Sequence, residues 1–248
     1  MFPLRDDNPT LLVPGVTIAL ILANVVVWLY VQGAGMSTEV LGQTVCSYGM
    51  IPAEITNSTG EYSGIELGPG IPPCTFGGLT WGGAFTSMFL HGGWVHLIAN
   101  MWFLWLFGNN VEDSMGHFRF LVFYLLVGAG AAAAHVLSAP GSMIPTVGAS
   151  GAISGIMGAY LVLYPHIRIQ TLFVFVIVLR VLPVPAWLVL ILWFGSQLLA
   201  GYTDSVAQAG IAFWAHIGGF VAGVVLVKLF EDRRRVAARL AHLSVPRD

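Results

Sequence analysis

The chain has 248 residues, 56% hydrophobic and only 9% charged, with a mean hydropathy of +0.80. Soluble domains carry about 25% charged residues, so the composition excludes an ordinary soluble globule and places the chain in the membrane class. A formal net charge of -2 argues against a nucleic-acid partner, and two cysteines exclude a disulfide-rich scaffold.

A helical span needs ~20 mostly apolar residues. The candidates are residues 15–32, 94–110, 118–138, 147–164, 184–201 and 211–230. Residues 171–182 are also apolar, but they are few, contain Arg180 and run into Pro183 and Pro185. They are expected to be interfacial or re-entrant. The expected fold is an all-α membrane protein, a six-transmembrane-helix bundle with a long first external loop. A short N-terminal segment (1–14) would precede the membrane domain (15–230), and a basic tail (231–248) would follow it. Seven spans is the alternative.

The basic residues discriminate between these counts. Arg5 precedes the first span, Arg119 lies between spans two and three, and Arg168 and Arg180 lie between spans four and five. Lys228, Arg233, Arg234, Arg235, Arg239 and Arg247 fall at or beyond the end of span six. All ten lie on one side of a six-span topology, and the positive-inside rule then places both termini in the cytoplasm. A seventh span would divide them. On this reading Arg233–Arg235 set topology. The first thirteen residues lack a small-residue cleavage site, so the first span is expected to stay as an anchor. The setting expected is a prokaryotic plasma membrane.

The first external loop, 33–90, holds Glu39, Glu54, Glu61 and Glu66 and no basic residue. Its run Gly68-Pro69-Gly70-Ile71-Pro72-Pro73 suggests irregular structure. Cys46 and Cys74 both fall in it and could form a disulfide on an oxidising face.

Polar residues converge at one depth. Spans two, four and six all run from outside to inside, with His96, Ser150 and His216 near their outer ends. Polar groups in hydrocarbon are costly unless paired, and serine and histidine can pair as nucleophile and base. Taken singly, Ser150 reads as a helix N-cap and His216 as a donor to a carbonyl. Their matched depth favours the pair. Gly148, Gly151 and Gly155 flank Ser150, and His216, Gly219 and Gly223 are spaced i, i+3, i+7. Small residues let helices approach closely in lipid, so spans four and six should pack together. His96 and Asn100 are i, i+4 and face one way. With the backbone amide of Ser150 at a helix start, they could hold an oxyanion. Asp204 is the only acid near the outer ends of spans five and six and is placed in the loop, so a Ser–His dyad is expected.

These residues resemble the rhomboid family of intramembrane serine proteases. The resemblance rests on Gly148-Ala149-Ser150-Gly151, on His216 with Gly219 and Gly223, on the run from His91-Gly92-Gly93-Trp94 to His96 and Asn100, and on Gly108-Asn109-Asn110-Val111-Glu112-Asp113. It covers about residues 80–230. It implies Ser150 as nucleophile, His216 as base, and His96, Asn100 and the Ser150 amide at the oxyanion. It also implies that the fifth helix, with Trp187, Trp193 and Phe194, gates lateral access of substrate. The substrates implied are single-pass transmembrane proteins cut in or beside the lipid bilayer, with the site toward the external face and no metal or organic cofactor. The family often carries Trp-Arg in the first external loop, where this chain has Trp81-Gly82. The cysteine pair would be a substitute brace.

Three rival readings are weaker. A catalytically silent relative that binds transmembrane helices would be marked by loss of the serine or histidine, and both are present. A transporter would be expected to show an inverted repeat or a carboxylate relay. A metalloprotease using His91, His96, His135 and His216 lacks a His-Glu-x-x-His motif.

Overall fold

The computed structural model of the chain describes residues 2–60, 63–68, 71–77, 80–175, 178–204 and 212–244. In chain order they form strand β1 (Phe2–Asp6), helix α1 (Gly15–Val26) with a π-helical continuation over Val27–Val31, helix α2 (Thr38–Tyr48) and the short α3 (Pro52–Ile55). Strands β2 (Gly64–Ile65) and β3 (Cys74–Thr75) and the short helix α4 (Gly83–Thr86) complete the loop before helices α5 (Trp94–Met115), α6 (His117–Ser138) and α7 (Ser150–Leu163). Strands β4 (Arg168–Phe175) and β5 (Val178–Pro185) lead to helices α8 (Ala186–Asp204), α9 (Phe213–Phe230) and α10 (Arg233–Ser244). Glu61, Pro69, Gly70, Ile211 and Arg247 lie outside the described residues.

Among the described residues three helices are long and apolar enough to cross a membrane: His117–Ser138, Ala186–Thr203 and Phe213–Phe230. Gly15–Val31 and Ser150–Leu163 are apolar but shorter. α7 is the innermost element, buried from Gly151 to Tyr160. Its 14 residues rise only ~21 Å, less than the ~30 Å of a hydrocarbon core. It can be short because α5, α6 and α9, not lipid, surround it.

α7 meets α9 at backbone contact. A Cβ on Gly219 would run into the Gly151 carbonyl, and one on Gly223 into the Gly155 carbonyl. Without a hydrophobic drive between helices in lipid, this close approach is what brings them together. On the other side of α7, a Cβ on Gly151 would lie 2.7 Å from the Ala131 Cβ of α6. The apolar core around this crossing includes Phe107, Phe120, Phe123, Tyr124, Ile156 and Tyr160, all fully buried.

The fold is not purely helical: the described residues of 171–182 belong to two paired strands. β4 and β5 pair antiparallel from Arg168↔Pro185 to Phe175↔Val178, and β1 joins the other side of β4 with Phe2 opposite Leu172. The order is β1-β4-β5. β-branched Ile169, Thr171, Val174, Val181 and Val184 suit a pleat better than a helix. Pro183 and Pro185 are tolerated because β5 is an edge strand. The short N-terminal segment that precedes α1 therefore supplies a strand. β1 lies along α5: the Trp102 indole donates to the Pro3 carbonyl at 2.9 Å, and the Phe2 ring rests 5.8 Å from Trp102. The described residues of the first loop include helices α2, α3 and α4 and the paired strands β2 and β3. A Cys46–Cys74 disulfide ties α2 to β3.

A polar cluster organises the end of the bundle opposite Ser150. Glu112 accepts from the backbone N–H groups of Val16 and Thr17 at 2.8 Å and from the Thr17 hydroxyl at 2.6 Å, so it caps the start of α1 from a distance. Asp113 accepts from the Leu11 and Leu12 amides at 2.9 Å each and from Arg239 at 2.9 Å. Arg239 is 1% exposed, and its guanidinium also donates to the Asn8 carbonyl and side chain, to the Asn110 carbonyl and to the Asn110 side chain. It lies over the Tyr164 ring. Asp6 joins the cluster through the Tyr160 hydroxyl (2.5 Å) and the Asn110 amide (2.8 Å).

Two outcomes follow from this packing. Gly219→Ala forces α7 and α9 apart and lowers the melting temperature in detergent, as overpacking by ~1–3 kcal/mol or more requires. Gly195→Ala, where a Cβ would meet nothing within 4 Å, leaves it unchanged. The second outcome concerns pH. Burial, only partly offset by the Tyr160 hydrogen bond and Arg239, pushes the Asp6 carboxyl up to about 6. An unfolded aspartate titrates near ~3.9, so the fold holds this proton more tightly than the unfolded chain. The stability it contributes is complete below about pH 4 and is lost as pH rises through about 6. Asp6→Asn should flatten that part of the melting temperature's fall between about pH 4 and pH 7.5, and a variant as steep as the wild type would refute the assignment.

Candidate active site

The turn into α7 begins at Gly148, whose φ of +128° disfavours a side chain and whose Cβ would lie 2.9 Å from His96 Nε2. Its amide is held by the Ser87 carbonyl at 2.9 Å. Ser150 is then the first residue of α7. It is not the cap: that residue is Ala149, and no side chain caps the helix. The Ser150 hydroxyl is free to point elsewhere.

It points at His216. The crossing of Gly151 with Gly219 fixes the meeting, because Ser150 precedes Gly151 by one residue and His216 precedes Gly219 by about one turn. Ser150 Oγ lies 2.8 Å from His216 Nε2. The other ring nitrogen, Nδ1, lies 2.7 Å from Gln197 Oε1 on α8. Trp193 of α8 and Phe213 of α9 flank the imidazole, with ring centroids 6.1 and 6.5 Å away. One tautomer satisfies both contacts: Nδ1–H donates to the amide oxygen, and the Nε2 lone pair accepts from the serine hydroxyl.

His96 and Asn100 open onto the same cavity of about 410 Å³, together with Ser150, His216 and Trp193. His96 Nδ1 accepts from the Gly92 amide at 3.2 Å, which leaves Nε2 as the donor atom, beside Gly148. Asn100 donates back to the His96 carbonyl at 2.9 Å, one turn up its own helix. The cavity wall also holds Ser154, whose hydroxyl donates to the Ser150 carbonyl at 2.6 Å. The arrangement has the parts of a nucleophile and base beside a chamber with donors in its wall.

Of the three aromatics expected on the fifth helix, Trp193 faces His216 and Phe194 stacks on Phe220 at 4.5 Å. Trp187 starts α8 at the opposite end, its amide held by the Pro165 carbonyl at 2.9 Å. His135 pairs with the Thr146 hydroxyl at 3.0 Å. His91 is fully buried, edge-on to His96 at 5.1 Å, and burial pushes its imidazole down to about 3, so it is neutral. Its backbone is clamped by Gln32, which donates to its carbonyl at 2.7 Å and accepts from its amide at 2.8 Å. Gln197 closes the stretch from Pro185 that resembles the family's fifth helix, but no role for it was legible in the sequence. Its spacing from Trp193, i to i+4 on a helix facing the site, was the available signal.

The rhomboid domain family matches residues 79–233. The chain is 29% identical over 155 residues to "Rhomboid-like protein 11, chloroplastic" of Arabidopsis thaliana, covering 61% of this chain and 53% of that protein. It is 32% identical over 146 residues to "Rhomboid protease GluP" of Bacillus subtilis (strain 168), covering 59% and 26%. Against "Rhomboid protein 1, mitochondrial" of Saccharomyces cerevisiae it is 32% identical over 159 residues, covering 60% and 43%. The chain thus spans about half or less of the length of the curated relatives it matches. With a family match over more than half its length, the chain belongs to the rhomboid family of multi-pass membrane proteins.

Proposed function

We propose that the chain is an intramembrane serine endopeptidase that cuts membrane-protein substrates in or beside their transmembrane segments. The observation that carries this is the 2.8 Å contact of Ser150 Oγ with His216 Nε2, opening onto a chamber of about 410 Å³. One of the matched relatives is named a rhomboid protease, while others are named only rhomboid-like. The intact pair supports the active reading for this chain.

In the proposed cycle a substrate helix comes in beside α8 and unwinds locally, since a peptide bond inside an intact helix is closed to attack. His216 takes the Ser150 proton at Nε2 as Oγ attacks the carbonyl carbon. The negative charge forms on the carbonyl oxygen, where the Ser150 amide, Asn100 and His96 are the donors. One Asn100 N–H is held by the His96 carbonyl, and its second N–H is the one available to the oxyanion. The imidazolium returns the proton to the leaving amine, and water admitted from the outer side then hydrolyses the acyl-enzyme by the same relay. Six spans with both termini cytoplasmic complete the reading, because all the basic residues then share one side. The relatives' names include a chloroplast, a mitochondrion and a bacterium, so the prokaryotic plasma membrane remains a proposal.

The test needs no natural substrate. Purified protein in detergent is exposed to a fluorophosphonate probe and the adduct mapped by mass spectrometry. Labelling at Ser150 is expected, with none in Ser150→Ala and almost none in His216→Ala. Absence of labelling in the wild type would make a silent, helix-binding rhomboid the better reading. Asn100→Ala should cut substrate turnover ~10²–10³-fold, as loss of one oxyanion donor does. A drop of less than about threefold would remove Asn100 from the oxyanion site.

A further inference from the structure

We infer that Gln197 is a positioning residue for His216, filling with a neutral amide the place that a carboxylate takes in a Ser–His–Asp arrangement. This rests on the proposed Ser150–His216 chemistry and adds a third member to it, carried on α8 rather than on α7 or α9.

The geometry is specific. Gln197 Oε1 stands 2.7 Å from His216 Nδ1 on the side of the ring opposite Ser150. A neutral imidazole carries its proton on one nitrogen only, and the partner of the other nitrogen selects which. A neighbouring contact favours this orientation of the Gln197 amide. Its Nε2 donates to the Ser196 hydroxyl at 3.3 Å, and that hydroxyl donates to the Trp193 carbonyl at 2.6 Å. With the NH₂ group so engaged, the oxygen is the atom presented to His216. In this arrangement Nδ1 is the protonated nitrogen, and Nε2 keeps the lone pair that receives the serine proton. When the imidazolium forms, its Nδ1–H is already directed at an oxygen. Trp193, one turn before Gln197, covers the same ring, and Phe194 stacks on Phe220. α8 therefore holds the base by a hydrogen bond and by packing at once.

A side chain that merely fills space at this point would be replaced well by leucine. A side chain that accepts from Nδ1 would not. The test compares Gln197→Leu with Gln197→Glu, whose carboxyl keeps an acceptor oxygen at the same reach in either protonation state. Fluorophosphonate labelling of Ser150 is followed against probe concentration, so that the maximal rate separates from probe binding. Gln197→Leu is expected to lower the maximal rate ~10²-fold, the low end for a misdirected general base, with the half-saturating concentration unchanged. Gln197→Glu should recover it to within about tenfold of the wild type. A second measurement needs no variant at position 197. ¹⁵N spectra of ring-labelled histidine, with His216 assigned by difference from His216→Ala, should show protonation at Nδ1 in the wild type.

Labelling of Gln197→Leu at the wild-type rate overturns the inference. So does a Gln197→Glu variant as slow as Gln197→Leu, or a wild-type His216 protonated at Nε2. If the wild type fails to label at all, the protease reading has failed, and the nitrogen spectrum still decides whether Gln197 sets the tautomer.

Discussion

Where α7 crosses α9 there is no side chain between the two backbones, and most of the site depends on that contact. The carbonyls of Gly151 and Gly155 occupy the space that a Cβ on Gly219 and Gly223 would need. Hydrocarbon offers helices no hydrophobic reason to associate, so close packing and internal hydrogen bonds must hold them. The crossing supplies the first directly. It supplies the second by bringing Ser150 and His216 within 2.8 Å, so that each satisfies the other in a place where an unpaired polar group is costly. Packing and chemistry here are two consequences of one constraint.

The same constraint operates at the far end with charged groups. α5 carries His96 and Asn100 near its start and Asn110, Glu112 and Asp113 near its finish. Glu112 and Asp113 are buried, and their side chains tie other segments to α5: the start of α1, the residues before it, His117 at the start of α6, and α10 through Arg239. A buried ion pair is no guarantee of stability, since desolvation opposes the Coulomb attraction. Its value here is geometric. Five donors in a planar guanidinium can be met only if Asn8, Asn110 and Asp113 stand in one arrangement. α5 is thereby held at its C-terminal end, the end away from His96 and Asn100.

What the sequence made legible follows from the range of the interactions involved. The helices, the glycine spacings and the Ser150–His216 pair could be read because each leaves a local mark: apolar length, i, i+3, i+7 repetition, or a polar residue in a run that should have none. The sheet left no such mark. β4 and β5 looked like a truncated span, and the third strand is residues 2–6, whose partner lies about 165 positions away. The β-branched content of 169–184 was the signal, weakened by the apolar context that also suits a helix. Arg239 looked like one more positive charge beyond the last span, since burial is not written in a residue's own identity. Gln197 was missed for a different reason. A third member was sought among acids, and in its absence only a dyad was expected.

That absence of an acid has a physical reading. An ionised carboxylate facing His216 among these apolar helices would carry a desolvation cost, whereas a neutral carboxyl or amide there would not. An amide oxygen accepts the same Nδ1–H with no net charge. Its attraction to the imidazolium in the transition state is smaller than that of an anion. In a low dielectric, however, a fixed dipole already aimed at Nδ1–H counts for more than it would in water. With Gln197 as the positioning residue, α8 is more than a wall beside the chamber. Its contacts reach His216 from two sides, the Gln197 oxygen at Nδ1 and the Trp193 ring over the imidazole.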